Sequence, residues 1–330
     1  MSETKYGVVA VGNALVDVLS QVPETFIEEQ SKEHDMEKGA MTLIDETRAV
    51  NLYIQMPKGV ETSGGSAANT MAGFASFGGN GAFIGKIADD ELGRVFKTDI
   101  CSLGVDFETS PLVLGAHTGR CMILVSPDAE RTMNTFLGAS VELSPIDINR
   151  ELIASAKITY LEGYLFDREQ AKAAFIKAAE HAHEYGHRIA LTLSDPFCVD
   201  RHRHDFLNLV ENHVDILFAN EDEIKSLFLQ DNFDDAISAI SKHVEIAVIT
   251  RSEKGAVIIS KGETIKIDAV PVDNVVDTTG AGDQFAAGFL YGFTEDKPLE
   301  ECGKLGAIAA SEVISHIGPR PAVKLSELAA

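Results

Sequence analysis

Asp215-Ile-Leu-Phe-Ala-Asn-Glu-Asp-Glu-Ile-Lys-Ser-Leu-Phe-Leu229 changes periodicity without a turn. Residues 216–219 are a short apolar run that reads as a strand, and residues 221–229 behind them read as a helix with a polar start. The same unit recurs on both sides. Strands are expected at 158–161, 189–193 and 246–250, and helices at 168–185, 205–213 and 233–243. Two β runs, 256–260 and 264–269, flank Lys261-Gly262, a hairpin signal, and helices at 281–293 and 299–314 close the chain. Nearer the start the pattern predicts strands at 8–11 and 82–87 and helices at 25–33, 45–56, 67–77 and 90–103. Alternation of this kind implies an α/β fold with a mostly parallel central sheet flanked by helices on both faces. Residues 112–136 break the rhythm. They are β-rich around Pro127-Asp128-Ala129-Glu130 and, with parts of 14–60, are expected to form a small β-sheet lid on a single domain spanning 1–330. Ligands in open α/β sheets sit beyond the carboxyl ends of the strands, so the turns that follow the strands are the place to look for chemistry.

Composition narrows the function classes. Acidic residues number 51 against 28 basic ones, a formal charge of −23, and no cluster of five or more Lys/Arg occurs. Such a chain repels a nucleic-acid backbone, so nucleic acid is not an expected partner. No apolar stretch approaches the roughly 20 residues that span a bilayer. The start runs through Met1-Ser-Glu-Thr-Lys-Tyr6 into a strand and does not read as a signal peptide. Cys101, Cys121, Cys198 and Cys302 form no C-x-x-C pair. Reduced thiols in a cytoplasmic protein are the expectation.

The chemistry concentrates in Asp277-Thr-Thr-Gly-Ala-Gly-Asp-Gln-Phe-Ala-Ala-Gly-Phe-Leu290. Gly280, Ala281 and Gly282 precede an apolar helix, where unpaired N–H groups and the helix dipole favour an anion. Small side chains let a phosphate approach that backbone. Asp283 falls in the first turn, where a carboxylate can take a proton from an attacking hydroxyl. Taken alone, a glycine-rich turn with an ordinary N-terminal Asp explains Gly-Ala-Gly-Asp about as well.

The full fourteen residues resemble, position for position, the C-terminal signature of the PfkB (ribokinase-like) family of carbohydrate and nucleoside kinases. The resemblance implies a ribokinase-like fold, Asp283 as catalytic base, and Gly280, Ala281 and Gly282 as the anion hole. It extends over nearly the whole chain. Gly12-Asn13-Ala-Leu-Val-Asp17 is similar to the family's first-strand motif, which implies substrate contacts from Asn13 and Asp17. Ser63-Gly64-Gly65-Ser66-Ala-Ala-Asn69 resembles its double-glycine loop, which implies acceptor contacts at Gly64, Gly65 and Asn69. Asn220 and Glu223 match the N-x-x-E motif associated with ATP and, through water, Mg²⁺. Thr250-Arg-Ser-Glu-Lys-Gly255 resembles the T-x-G-x-x-G nucleotide loop, with Ser252 in place of the middle glycine. Thr250 and Gly255 are then the expected ATP contacts. Arg131 matches an arginine that reaches the phosphates from the lid.

Within the family the chain resembles the adenosine kinases most, through Asn13 and through Lys157-Ile-Thr-Tyr-Leu-Glu-Gly-Tyr164-Leu-Phe166, whose Tyr164 and Phe166 would offer rings to a base. Transfer from ATP to the 5′-hydroxyl of adenosine is the implied reaction. Thr279 and Ala67-Ala68 depart from that branch and keep a sugar kinase for ribose, fructose or 2-keto-3-deoxygluconate as the alternative. A nucleoside-binding sensor without chemistry is the rival from another class. ATP and Mg²⁺ are the implied cofactors. The resemblance also implies K⁺ beside Asp277 and the Thr279 carbonyl, and a monomer or a homodimer. No G-x-x-x-x-G-K-[ST] or H-R-D set occurs, and residues 7–12 do not supply G-x-G-x-x-G. His183/His187 and Arg201-His202-Arg203-His204-Asp205 read as solvated surface, the latter as a loop entering a helix.

Overall fold

A computed structural model describes residues 4–128 and 130–329; residues 1–3, Ala129, part of the expected hairpin turn, and Ala330 lie outside the described residues. The strands are β1 (Tyr6–Val11), β2 (Leu15–Gln21), β3 (Met41–Leu43), β4 (Val60–Gly64), β5 (Gly81–Ile84), β6 (Val105–Phe107) and β7 (Gly119–Val125), followed by β8 (Arg131–Phe136), β9 (Ala156–Glu162), β10 (Arg188–Thr192), β11 (Ile216–Asn220), β12 (Ile246–Thr250), β13 (Ala256–Ser260) and β14 (Glu263–Ile267). The helices are α1 (Glu24–His34), α2 (Glu46–Gln55), α3 (Ser66–Ser76), α4 (Glu91–Ser102), α5 (Arg150–Ala154) and α6 (Glu169–Glu184), then α7 (Pro196–Asn212), α8 (Glu221–Phe228), α9 (Phe233–Ile240), α10 (Ala281–Thr294), α11 (Leu299–Val313) and α12 (Leu325–Leu328).

Among the described residues, nine strands form the large sheet in the order β14-β13-β12-β11-β10-β9-β1-β5-β6. It is parallel from β12 to β6, and the β12-β13-β14 edge is antiparallel. Strand side chains alternate between faces, so the apolar runs feed two cores at once. Val8, Ala10, Phe218 and Val248 pack with α3, α4, α10 and α11, while Val9, Val11, Leu217 and Ile249 pack with α5 to α9. From β1 the chain builds outward through β5 and β6 on one side, and from β9 through β12 on the other. The order therefore reverses between β1 and β9, and a crevice opens at their carboxyl ends.

The second sheet, five strands in the order β3-β8-β7-β2-β4, stands over that crevice. Its register decides what it shows to the crevice. Asp17 pairs with Cys121, Cys121 with Thr135, Ile123 with Met133, and Met41 with Met133. Period-2 alternation then puts Leu15, Asp17, Cys121, Ile123, Arg131, Met133, Met41 and Leu43 on one face, and all of them line the cleft. Val16, Val18, Met122 and Leu124 on the other face join Ala49 and Leu52 of α2 in the core.

Three expectations need adjustment. The second sheet continues past residue 60, because β4 runs to Gly64 and delivers the double glycine directly. Helix α7 starts at Pro196, nine residues before the expected 205, because Asp195 caps it by accepting from the Cys198 N–H (2.7 Å) and proline suits the first turn. Residues 201–205 therefore lie within a helix, kinked at His202, and not in a loop. Helix α9 ends at Ile240, before the expected 243. Among the described residues, no helix is long and apolar enough to cross a membrane.

Candidate active site

The crevice is a cleft of about 1520 Å³ that runs from the second sheet to the turn after β12. Asn13, Asp17, Gly65, Asn69, Arg131, Tyr164, Asn220, Glu223, Thr250, Gly255, Thr279, Gly280, Ala281, Gly282 and Asp283 all line it. These residues come from seven separate stretches of chain, most of them at the end of a strand or the start of a helix, with Arg131 at the start of β8.

Asp283 sits in the first turn of α10. Gly280 precedes that helix in the left-handed region (φ +79°), and a Cβ there would lie 2.6 Å from the Pro319 carbonyl oxygen. The bend needs glycine; within it the Ala281 N–H donates to the Thr278 carbonyl (3.2 Å), and Gly280, Ala281 and Gly282 line the cleft at the start of α10. A Cβ on Gly282 would meet open space, so that side of the turn is free for a bound group. Ser66 Oγ, at the start of α3, donates to Asp283 Oδ1 at 2.6 Å. Burial raises the Asp283 pKa to about 6, opposed by hydrogen bonds from Ser66 and Asn69 and assisted by the Asp17 charge. An acid titrating there is ionised at neutral pH, yet is a stronger base than an ordinary carboxylate.

Asp17 lies across the cleft on β2, its pKa also raised by burial to about 6, with the charges of Arg320 and Arg131 drawing it back. It packs against Gly64, where a Cβ would come within 2.3 Å of the Asp17 carboxyl carbon. Gly64 thus serves by leaving room for Asp17, while Gly65 faces the cleft itself. Asn13 is buried, and its Nδ2 donates to Glu162 Oε1 at 2.7 Å. Its Oδ1 has no hydrogen-bond partner among the described residues. Glu162 Oε2 accepts from the Ala67 N–H (2.8 Å) and the Asn13 N–H (3.3 Å). Burial raises the Glu162 pKa to about 7 against those bonds.

At the other end, Asn220 caps α8. Its Oδ1 accepts from the N–H groups of Asp222 and Glu223, and its Nδ2 donates to Glu223 Oε1 at 2.6 Å. The side chain of Asn220 is therefore committed to its own helix, and beside it in the cleft lining stands Glu223, whose pKa burial raises to about 7. Thr250 ends β12, and the turn closes with the Arg251 N–H on the Gly255 carbonyl at 2.8 Å. Ser252, which replaces the family's glycine, has φ +52°, a conformation that favours glycine.

Two expected contacts are corrected. Phe166 is 2% exposed, stacks on Phe206 (4.2 Å between centroids, 6° between planes) and sits in the core beneath α6 and α7, outside the cleft lining. Its ring faces away because the 3₁₀ turn Gly163–Asp167 presents Tyr164 to the cleft instead. Asp277 does not stand open for K⁺. Its carboxylate pairs with Arg131 and accepts from the N–H groups of Thr279 (3.0 Å) and Gly318 (2.9 Å). Arg131 is accordingly an ion-pair partner of the loop that leads to the anion site. Its Nε and Nη2 are buried beside the cleft without partners among the described residues.

Sequence reasoning passed over four residues. Ser66 lies inside the double-glycine motif, but its contact with Asp283 joins residues too far apart in sequence to be read locally. Glu162 carries a signal of its own, a lone acid ending an apolar strand. Ser194, at φ +73°, holds Tyr164 through its Oγ (3.2 Å from the Tyr164 N–H) and its carbonyl (3.3 Å from the phenol). Arg320 follows the last long helix between two prolines, with no pattern to announce it.

Comparison with known proteins agrees with this geometry. The family described as "pfkB family carbohydrate kinase" matches residues 39–325. A crystal structure of a probable sugar kinase from Rhizobium etli CFN 42 is 48% identical, with a TM-score of 0.90 over 99% of this chain and 98% of that one. The crystal structure of adenosine kinase from Sinorhizobium meliloti is also 48% identical, with a TM-score of 0.89 over 98% of each chain. The 5-dehydro-2-deoxygluconokinase of Geobacillus thermodenitrificans is 30% identical over 76% of this chain and 78% of its own length. A phosphotransferase that acts on a hydroxyl group, built on the ribokinase-like fold with a second small sheet, this chain belongs to the pfkB family of carbohydrate kinases.

Proposed function

We propose that the protein transfers the terminal phosphoryl group of ATP to the 5′-hydroxyl of adenosine. The observation that carries this reading is the composition of the acceptor end of the cleft. Asp17, Gly65 and Asn69 supply polar groups to this end of the lining. Leu15, Ile123, Met133 and Leu137 of the second sheet and its exit, and the ring of Tyr164, line the same cleft. A polyol alone gains little from flat apolar walls, whereas a purine ring does. Likeness to the Sinorhizobium adenosine kinase over nearly the full length supports the same reading.

In this reading Asp17 and Asn69 hold the ribose hydroxyls, and Asp283 accepts the proton of the 5′-hydroxyl as its oxygen forms the new O–P bond. The bond from the γ-phosphorus to the bridging oxygen breaks and ADP leaves. The backbone of Gly280, Ala281 and Gly282 holds the transferring group at the start of α10, where the Ala281 N–H also donates to the Thr278 carbonyl (3.2 Å). Thr250 and Gly255 border the nucleotide, and the second sheet acts as a lid that excludes water. Its Arg131 offers the two unpartnered donors to the phosphates. Mg²⁺ fits the acidic Glu223 end of the cleft through water and would neutralise phosphate charge when bound with ATP. Most of the acceleration is positioning and electrostatics.

A sugar acceptor is the second reading, favoured by Glu162, a further acid at the acceptor end, and by likeness to the Rhizobium probable sugar kinase. Turnover of Mg-ATP on adenosine, guanosine, inosine, ribose, fructose and 2-keto-3-deoxygluconate separates the two. We expect AMP from adenosine and little turnover of the free sugars. Turnover of a sugar with adenosine inert would overturn the acceptor, and nucleoside binding without ATP consumption would favour a sensor.

A further inference from the structure

The acceptor side of the cleft is braced from behind by a residue distant in sequence. Arg320 lies beyond α11 in Gly318-Pro319-Arg320, with its side chain only 18% exposed. Each of its three nitrogens has a different acceptor. Nε donates to Asn69 Oδ1 (3.1 Å), Nη1 to Asp99 Oδ2 (2.9 Å) and Nη2 to Ser63 Oγ (2.8 Å). Asp99 Oδ2, from α4, also accepts from the Ser63 N–H (2.8 Å) and the Ser63 hydroxyl (2.6 Å). The guanidinium therefore ties both ends of the double-glycine loop, Ser63 and Asn69, to α4.

A guanidinium only donates. The atom of Asn69 that faces Arg320 must be its carbonyl oxygen, and the planar amide then turns its NH₂ the other way. The Asn69 side chain is one of the two hydrogen-bonding partners that favour ionised Asp283. The rest of the segment grips the anion loop. The Gly318 N–H donates to Asp277 Oδ2 at 2.9 Å, and Gln284 Nε2, next to Asp283, reaches both the Pro319 and Asn69 carbonyls at 2.9 Å.

We propose that Arg320 is a positioning residue for phosphoryl transfer, locking the Asn69 amide with its NH₂ toward Asp283 and the acceptor while the segment 318–320 holds the acceptor loop and the anion loop in register. This rests on the reading of Asp283 as base and Asn69 as acceptor contact. Lysine cannot substitute, since a single ammonium does not reach three acceptors in fixed directions.

Kinetics with adenosine as a function of pH test it, using Arg320→Gln, Arg320→Lys, Asn69→Ala and the Arg320→Gln/Asn69→Ala double variant. The groups that face Asp283 are Asp17 of β2, Tyr160 and Glu162 of β9, Tyr164 after it, Glu223 of α8, and Ser66 and Asn69 of α3. The charged ones raise its proton affinity, so loosening Asn69 should move the acid limb of kcat/KM upward. Arg320→Gln is expected to lower kcat/KM for adenosine by about 10- to 100-fold with the KM for ATP nearly unchanged. Arg320→Lys should not restore it, and in the Asn69→Ala background Arg320→Gln should cost less than about twofold. Additive losses, an unmoved acid limb, or equal damage to both substrates would overturn the proposal. If Arg320→Gln does not fold, Asp99→Asn and Ser63→Ala loosen the same guanidinium and should give smaller changes of the same kind; wild-type kinetics in both would count against it. Asp283→Asn run alongside keeps the two ideas apart. Full turnover in that variant removes the base itself, whereas loss there with wild-type behaviour at Arg320 removes only the brace.

Discussion

Ser252 is the residue at which the chain departs most plainly from its family's nucleotide loop, and its backbone shows what the departure costs. At φ +52° a serine stands where the left-handed region penalises any Cβ, by about 1–2 kcal/mol. Glycine would lose more backbone entropy on folding, about 0.5–1 kcal/mol. Ser252→Gly should therefore stabilise the protein by up to about 1 kcal/mol, read as a rise in the midpoint of urea unfolding. Destabilisation would mean that the serine earns its place through a contact in the nucleotide-bound state. The same scale shows where sequence reasoning succeeds and fails. The places of Asp283, Asp17 and Asn69 in the cleft lining were legible because their chemistry and their spacing in a motif coincide. Phe166 was not, because Tyr164 and Phe166 differ only in which side of a 3₁₀ turn they leave, and nothing in two aromatic letters says which side faces a core.

The second sheet makes its contribution as a unit. Register and alternation put an acid, an arginine and a row of apolar side chains on one face, and β4 places Gly64 under Asp17. Gly64→Ala would set a methyl group 2.3 Å from the Asp17 carboxyl carbon, so the carboxylate must move. We predict a rise of about tenfold or more in the KM for the acceptor, with the KM for ATP within about twofold; equal KM changes for both substrates would show that Asp17 does not address the acceptor. The strands of the large sheet were readable from sequence because burial on both faces leaves continuous apolar runs. The second sheet was readable only in outline. Its strands come from four distant stretches, one of them three residues long, and pairing between distant segments leaves no local trace. The early start of α7 was missed for the opposite reason: Asp195-Pro196 is a strong local start signal, but the Arg/His run behind it carries no apolar periodicity.

At the scale of the whole molecule, the cleft gathers four carboxyl groups whose pKa values burial raises, Asp17 and Asp283 to about 6 and Glu162 and Glu223 to about 7. Each keeps its proton to a higher pH folded than unfolded. Their contribution to stability is full below their ordinary values, 3.8 for Asp and 4.5 for Glu, and is lost as the pH rises through about 6–7. Asp90, Asp99 and Asp277, held below the ordinary value by hydrogen bonds and, for the latter two, by neighbouring arginines, work in the other direction and fail only in acid. Asp17→Asn should therefore be more stable than wild type by about 1–2 kcal/mol at about pH 8, with the advantage fading toward about pH 4. An advantage that does not change with pH would mean the acid is not strained by burial. Such a cleft sacrifices stability for function, a trade common at active sites.

The most direct measurement follows the γ-phosphoryl group itself. Labelled Mg-ATP is incubated with adenosine and either wild-type protein or Asp283→Asn, with binding of both substrates measured in parallel. The prediction is label in AMP with the wild-type protein, and with Asp283→Asn retained folding and binding but turnover lower by about 10²- to 10⁴-fold. Near-wild-type transfer by Asp283→Asn would contradict the role of Asp283, and absence of label in AMP with the active wild-type enzyme would contradict adenosine as the acceptor.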